Sequence, residues 1–231
     1  MNNFGKLDLR SGPGGDYKNG LCLMEAVAWM ANEGATDAPE CACPVLGRFA
    51  IRLNDNLNDE NRQQLRKLIL PMTGTRSKEH EKLRSEYLVL NVARKIVSLA
   101  FDKANLSEHA EAFRSVKDID ELRDVAKKAR SAADAGITYA DAAAAAAAYA
   151  AYTADAADAL AVAVTAYAAL ADAASAADGG NAYAAARQET YLKSIPILEE
   201  AIKLGPNAAD QWPKYLPRAE ALAVFVEKEL A

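Results

Sequence analysis

The chain has 231 residues, and 27 Lys and Arg against 32 Asp and Glu give it a net charge of -5. This length is enough to bury a hydrophobic core in one large domain or in a domain with an extension. The acidic total argues against a protein that binds nucleic acid through a general excess of positive charge. No basic and apolar leader opens the chain, so we expect no secretory signal.

Two further features of composition bear on location. Aspartates interrupt the Ala-rich region, so no stretch of about 18 residues is both strongly apolar and uncharged, as a membrane-spanning helix requires. Three cysteines, an odd number, fit reduced thiols better than a disulfide framework. We therefore expect a cytoplasmic protein with no membrane partner.

The first third of the chain predicts an arm and two helices. Residues 1–19 are rich in Gly and predict an extended arm closed by a turn. Apolar residues three and four positions apart predict a first helix over 21–32, with Gly34 as its stop. After a polar loop, Pro44 begins a second helix that ends within 54–58.

The middle of the chain predicts four more helices. Asp59 caps a third helix, which reaches Ile69 and stops at Pro71. The patterns after it predict helices over residues 77–103, 107–116 and 118–133, with Ser107 and Asp118 as N-caps of the last two.

The last third changes composition abruptly to Ala, with Tyr and Asp, from Tyr139 to Ala177. Ala is the best helix former, and the spacing of the large residues predicts a long helix with one packing face. Helices are also predicted over 183–204, kinked at Pro196, and over 217–230.

The predicted fold is all-α, an antiparallel helical bundle with a long Ala-rich helical extension. Its domains are an arm (1–19), a helical N-terminal domain (20–133) and an Ala-rich helical region (134–231) packed on it.

Charge is distributed unevenly along this fold. Residues 60–130 carry 16 Lys and Arg against 11 Asp and Glu, whereas residues 131–186, here called the acidic segment, contain six Asp and no Lys or Arg. Such a row of carboxylates can imitate phosphates and bind a basic surface of another protein. The predicted partner-binding residues are Asp141, Asp155, Asp158 and Asp172. A solvated helix face, or docking on this chain's own basic middle or on a second copy, are the alternatives.

The basic middle suggests a second kind of surface. Its cations could follow a nucleic-acid backbone, and they are Arg62, Arg66, Lys67, Arg76, Lys78, Lys82 and Arg84. Glutamates are interleaved with them, which favours ion pairs one helical turn apart, and no aromatic side chain lies among them to stack on bases. We therefore expect no direct nucleic-acid binding.

Thiols and carboxylates that could do chemistry are concentrated between residues 20 and 55. A possible site comprises Cys22, Glu25, Asp37, Cys41 and Asp55, and three thiols, counting Cys43, could hold a divalent metal with Glu25, Asp37 or His80 as a further ligand. A C-x-C pair with one distant Cys departs from the usual zinc spacing, and buried thiols with carboxylates that cap helix ends are the alternative.

No familiar catalytic signature accompanies these residues. Both histidines, His80 and His109, stand among charged residues and are expected to be exposed and idle. No catalytic residue and no cofactor is therefore predicted.

The order of short motifs in this stretch resembles a family. Cys22-Leu-Met-Glu25-Ala-Val, Asp37-Ala-Pro-Glu-Cys41, Pro44-Val-Leu and Leu53-Asn54-Asp55 are similar to the opening of uncharacterised proteins of bacteria, especially actinobacteria, and of their phages. Those proteins also continue into an Ala-, Asp- and Tyr-rich segment. The resemblance implies that Cys22, Glu25, Asp37, Cys41, Asn54 and Asp55 form one constellation. It implies no activity, and Cys43 stands where the family has a small residue.

We therefore expect a non-catalytic helical binding protein, encoded by a phage or mobile element, whose acidic Ala-rich surface binds a protein partner. Inhibition of a host nucleic-acid-handling or defence complex would be one form of this function. Two alternatives remain open, namely a small metal-binding protein or enzyme built on Cys22, Glu25, Asp37, Cys41 and Asp55, and a self-assembling structural protein that forms homo-oligomers.

Overall fold

The protein is all-α, as its sequence predicts. The computed structural model describes residues 7–15, 19–103, 105–134 and 182–205. Within these ranges there is no β-strand, and extended chain pairs only in a single parallel bridge between Leu9 and Leu21. The predicted Ala-rich helix, the predicted last helix and the four partner-binding aspartates lie outside the described residues.

Nine α-helices make up most of the described chain. They are α1 (Leu23–Ala31), α2 (Pro44–Asn56), α3 (Asp59–Arg62), α4 (Ile69–Met72), α5 (Lys78–Val92), α6 (Ser98–Lys103), α7 (Ser107–Ser115), α8 (Ile119–Asp134) and α9 (Ala182–Ile202). A 3₁₀ turn, Gln63–Leu68, joins α3 to α4, and a π-helical segment, Ala93–Val97, joins α5 to α6.

Several helix ends differ from the prediction. The stop of α1 is Asn32, whose left-handed backbone (φ 65°) ends the helix before Gly34, because Asn tolerates this conformation better than most residues. Asn58 rather than Asp59 caps α3, since its side-chain oxygen accepts a hydrogen bond from the Asn61 N–H at 2.8 Å.

The predicted third helix is broken into two short helices and the 3₁₀ turn. Pro71 does not stop it but lies inside α4, which has four residues. A proline is tolerated there because the N–H groups of a first helical turn have no partner within the helix. At α7 the expected cap is also displaced, as Ser107 is the first helical residue and follows Leu106.

The described residues fall into two compact units. One contains the residues up to Arg84 together with those from Leu198, and the other contains those between Ser85 and Ile197. The first unit has a core that includes Leu23, Leu46 and Phe49, all fully buried. In the second, the rings of Phe101 and Phe113 stack at 5.0 Å between centroids. The predicted domain boundary near residue 133 stays a prediction.

None of the described helices combines the length and the apolar character that crossing a bilayer demands.

Candidate functional site

Glu25, in the first turn of α1, is a buried carboxylate that binds backbone N–H groups. Only 3% of the residue is exposed. One carboxylate oxygen accepts from the N–H groups of Gly14 at 2.6 Å and Gly15 at 3.3 Å, and the other accepts from Cys22 N–H at 2.9 Å. The glycines belong to the N-terminal arm, here residues 7–15. Glu25 therefore fastens the arm to the start of α1.

Cys22 is the N-cap of that helix. Its sulfur accepts a hydrogen bond from Glu25 N–H at 3.3 Å, while the Glu25 side chain bonds back to the Cys22 N–H, so that the two residues form a capping box. Burial raises the pKa of the Cys22 thiol to about 12. At neutral pH the group is a protonated thiol, whereas a nucleophile or metal ligand must be a thiolate.

Asn54 and Asp55, in the last turn of α2, hold the same arm from the other side. Asn54 Oδ1 accepts from Leu23 N–H at 3.1 Å, and Asn54 Nδ2 donates to Arg10 O at 2.9 Å and to Asp55 Oδ1 at 3.0 Å. Asp55 Oδ1 also accepts from Gly12 N–H at 2.9 Å. Asn54 thus joins α1, α2 and the arm.

Four of the six residues of the predicted constellation are therefore brought together. Cys22 and Glu25 bond to each other, as do Asn54 and Asp55, and the two pairs are linked through the Leu23 N–H and the backbone of the arm. These four residues are here called the arm clamp. The arm it holds is part of the core, since Leu7 and Leu9 are each only 2% exposed. The observed contacts favour the alternative in which these acids satisfy helix ends and loop amides.

Asp37 and Cys41 lie apart from this group, in the loop between α1 and α2. Cys41 N–H donates to Glu33 Oε1 at 2.9 Å, and Cys41 O accepts from Arg76 N–H at 2.9 Å. Burial and the nearby Glu33 carboxylate raise the pKa of the Cys41 thiol to about 11. Among the described residues, no hydrogen bond or ion pair joins Asp37 or Cys41 to the arm clamp.

The predicted gathering of three thiols around a metal finds no support in this arrangement. Cys43 precedes α2, is fully buried and donates its N–H to Thr75 Oγ1 at 3.0 Å. Within the described ranges, no three His, Cys, Asp or Glu side chains are grouped so that they could hold a metal ion.

The sequence predicted that both histidines are exposed and idle, whereas the structure shows both half-buried. His80 Nδ1 lies 2.9 Å from Ser77 Oγ, and its ring leaves no room for a side chain at Gly205. His109 lies against Phe101, with 5.6 Å between ring centroids. The local sequence shows the charged neighbours of each histidine, but it does not show which other side chains or backbone the ring packs against.

Four cations of the basic middle are bonded within the chain. Arg62 is buried and donates to Asn54 O at 2.6 Å and Leu57 O at 2.5 Å. Fully buried Arg84 donates to Leu204 O at 2.9 Å and to Thr75 O. On the surface, Arg66 pairs with Asp8 at 2.9 Å and Lys67 with Glu199 at 2.6 Å. Arg62 also pairs with Asp59 one helical turn away, as the sequence predicts for this region, whereas Asp8 and Glu199 are distant in sequence from the cations they pair with.

Sequence reasoning missed two side chains that shape this region. Glu33 accepts from the N–H groups of Glu40 at 2.5 Å and Cys41 at 2.9 Å, and so fixes the loop between α1 and α2. Gln63 exchanges two hydrogen bonds with the backbone of Leu9, both at 2.9 Å. Neither contact follows from a local motif, because each side chain meets backbone that is distant in sequence.

A pocket of about 230 Å³ lies in the first unit, between the α1–α2 loop, α1 and one face of α2. Asp37 lines it, together with Arg48 and Arg76. It is separate from the residues of the arm clamp.

No family model matches the chain, and no curated protein or solved structure shows significant similarity to it.

Proposed function

We propose that the protein is a non-catalytic binding protein whose acidic segment binds a protein partner with a basic surface. One observation carries the proposal: residues 131–186 contain six Asp and no Lys or Arg, directly after a region with a basic excess. A segment without cations cannot neutralise its own carboxylates, so its negative electrostatic potential can attract a basic partner.

Four cations of the basic middle are already engaged, which favours a foreign partner over docking of the acidic segment on these four. Arg62, Arg66 and Lys67 already pair with Asp59, Asp8 and Glu199, and Arg84 is buried against backbone carbonyls. Cations that are already engaged offer less to a second set of carboxylates, since a new pair would have to replace an existing one. Self-assembly through the Ala-rich region remains the second candidate.

The contacts of the arm clamp support a non-catalytic role. Cys22, Glu25 and Asn54 bind backbone groups and are buried, so a substrate would have to displace structural hydrogen bonds in order to reach them.

We further propose that the protein acts in the cytoplasm, is encoded by a phage or mobile element, and inhibits a host complex whose basic surface normally binds nucleic acid.

The test is affinity purification from the natural host with charge-matched variants. One variant changes Asp141, Asp155, Asp158 and Asp172 to Asn, and the control changes Glu108, Glu111, Asp120 and Asp124, on α7 and α8, to their amides. Both raise the net charge by the same amount. We expect the first variant to lose its partner and the control to keep it. Retention of the same partner by the first variant would overturn the proposal.

A further inference from the structure

The pocket beside α2 has a buried apolar floor and a charged rim. On the floor, Met24, Ala42 and Cys43 are each at most 2% exposed. On the rim, Arg48 and Arg76 are exposed, and Asp37 is partly exposed. The lining thus contains two guanidinium groups and one carboxylate. Such a pocket complements a molecule with an apolar end and an anionic group.

The start of α2 adds a second source of positive potential. Cys43 makes no side-chain hydrogen bond to the first turn, which also contains no acidic residue. Cys43 and Pro44 line the pocket, so the positive end of the helix dipole lies at its wall. Arg48 lies one turn further along the same face.

Gly47 keeps this pocket open. It lies in the interior of α2, where glycine weakens a helix, and it does not have the positive φ that would require glycine. An added Cβ would meet only Met24 Cε, at an ordinary contact distance of 3.4 Å. Alanine would therefore fit and favour the helix, and what glycine supplies is space in the pocket wall.

We propose that this pocket binds a small amphipathic carboxylate, with its anionic end at Arg48 and Arg76 and its apolar end against Met24 and Ile51. Its volume of about 230 Å³ is below the usual range for drug-sized ligands, which limits the ligand to a short chain or one ring. The site does not involve the acidic segment, so it stands or falls independently of the proposed partner.

The first test compares three probes by NMR titration of the full chain. Phenylacetate carries both the ring and the charge, phenylacetamide lacks the charge, and acetate lacks the ring. We expect phenylacetate to shift the amide signals of residues 42–51 and to bind at least about tenfold tighter than either control, because each control loses one of the two contacts. Equal binding of phenylacetamide, or no shift in these signals up to the solubility limit of phenylacetate, would overturn the proposal.

The second test uses variants of the pocket wall. Arg48→Gln and Arg76→Gln should each weaken phenylacetate binding by about tenfold, whereas Arg52→Gln, one turn along α2 and outside the pocket lining, should leave it unchanged. Gly47→Ala should raise the melting temperature and yet weaken binding, because the methyl group fills part of the site. Equal effects of Arg48→Gln and Arg52→Gln, or undiminished binding by Gly47→Ala, would contradict the assignment.

Discussion

At the scale of single residues, the buried carboxylate of Glu25 is the most connected group of the arm clamp. Because it accepts three backbone N–H groups, Glu25→Ala leaves several buried donors unpaired and should lower the free energy of unfolding by about 3 kcal/mol. Urea unfolding measures this difference. Glu40→Ala, an exposed position in the next loop, is the control and should change stability by less than about 0.5 kcal/mol. Equal effects of the two changes would show that the arm contacts contribute no stability.

The Cys22 thiol gives stability a pH dependence with a defined sign. Its pKa is raised from 9.0 to about 12 in the folded state, so between these pH values the unfolded chain has released a proton that the folded chain still holds. Stability therefore falls as pH rises through this window. Cys22→Ser keeps a side-chain acceptor at the N-cap but does not titrate there, and its unfolding free energy should fall less steeply from pH 8 to pH 10.5. Parallel curves for the two proteins would mean that the folded thiol ionises normally.

The same two residues show what local sequence could have revealed. Cys22-Leu-Met-Glu25 has the spacing of a capping box with Cys in the place of Ser or Thr, so its structural role was present in the motif. No local motif showed the roles of Glu33 and Asn54. Glu33 binds backbone N–H groups seven and eight residues away, and Asn54 on α2 binds the N–H of Leu23 on α1.

At the scale of elements, the N-terminal arm belongs to the core of its unit, although its sequence resembles a loose Gly-rich segment. Leu9 is 2% exposed, so Leu9→Ala removes buried apolar surface and should cost about 2 to 4 kcal/mol in unfolding free energy. Leu83→Ala is the matched control, since Leu83 on α5 is 48% exposed and should lose less than about 1 kcal/mol. If both variants unfold at the same urea concentration, the arm does not pack as described.

The elements that sequence predicted well are those with strong local signals. Pro44 at the first position fixed the start of α2, and Asp118 Oδ1 accepts from Glu121 N–H at 2.8 Å at the start of α8, as a capping residue should. The break of the third helix at Gln63–Leu68 could not be predicted in the same way. Gln63 there bonds to the backbone of Leu9, a contact that depends on where the arm docks.

At the scale of the whole molecule, the residues that hold the fold are distinct from the residues proposed to bind a partner. The arm clamp is assigned to the fold, and the acidic segment is proposed as the binding surface. The all-α class followed from helical periodicity and the lack of alternating patterns, whereas the proposed function rests on charge distribution. The two roles can be separated experimentally because the two sets of residues do not overlap.

The separation of these two roles is tested most directly by measuring how much of the host partner is recovered with each of three variants. Asp55→Asn keeps an oxygen acceptor for Gly12, and Cys41→Ala removes the most exposed of the three thiols, so both variants should fold. We predict that these two recover the partner as the unaltered protein does, and that the variant with Asn at 141, 155, 158 and 172 does not. The reverse pattern, with loss of the partner in Asp55→Asn or Cys41→Ala and retention in the acidic-segment variant, would contradict the account.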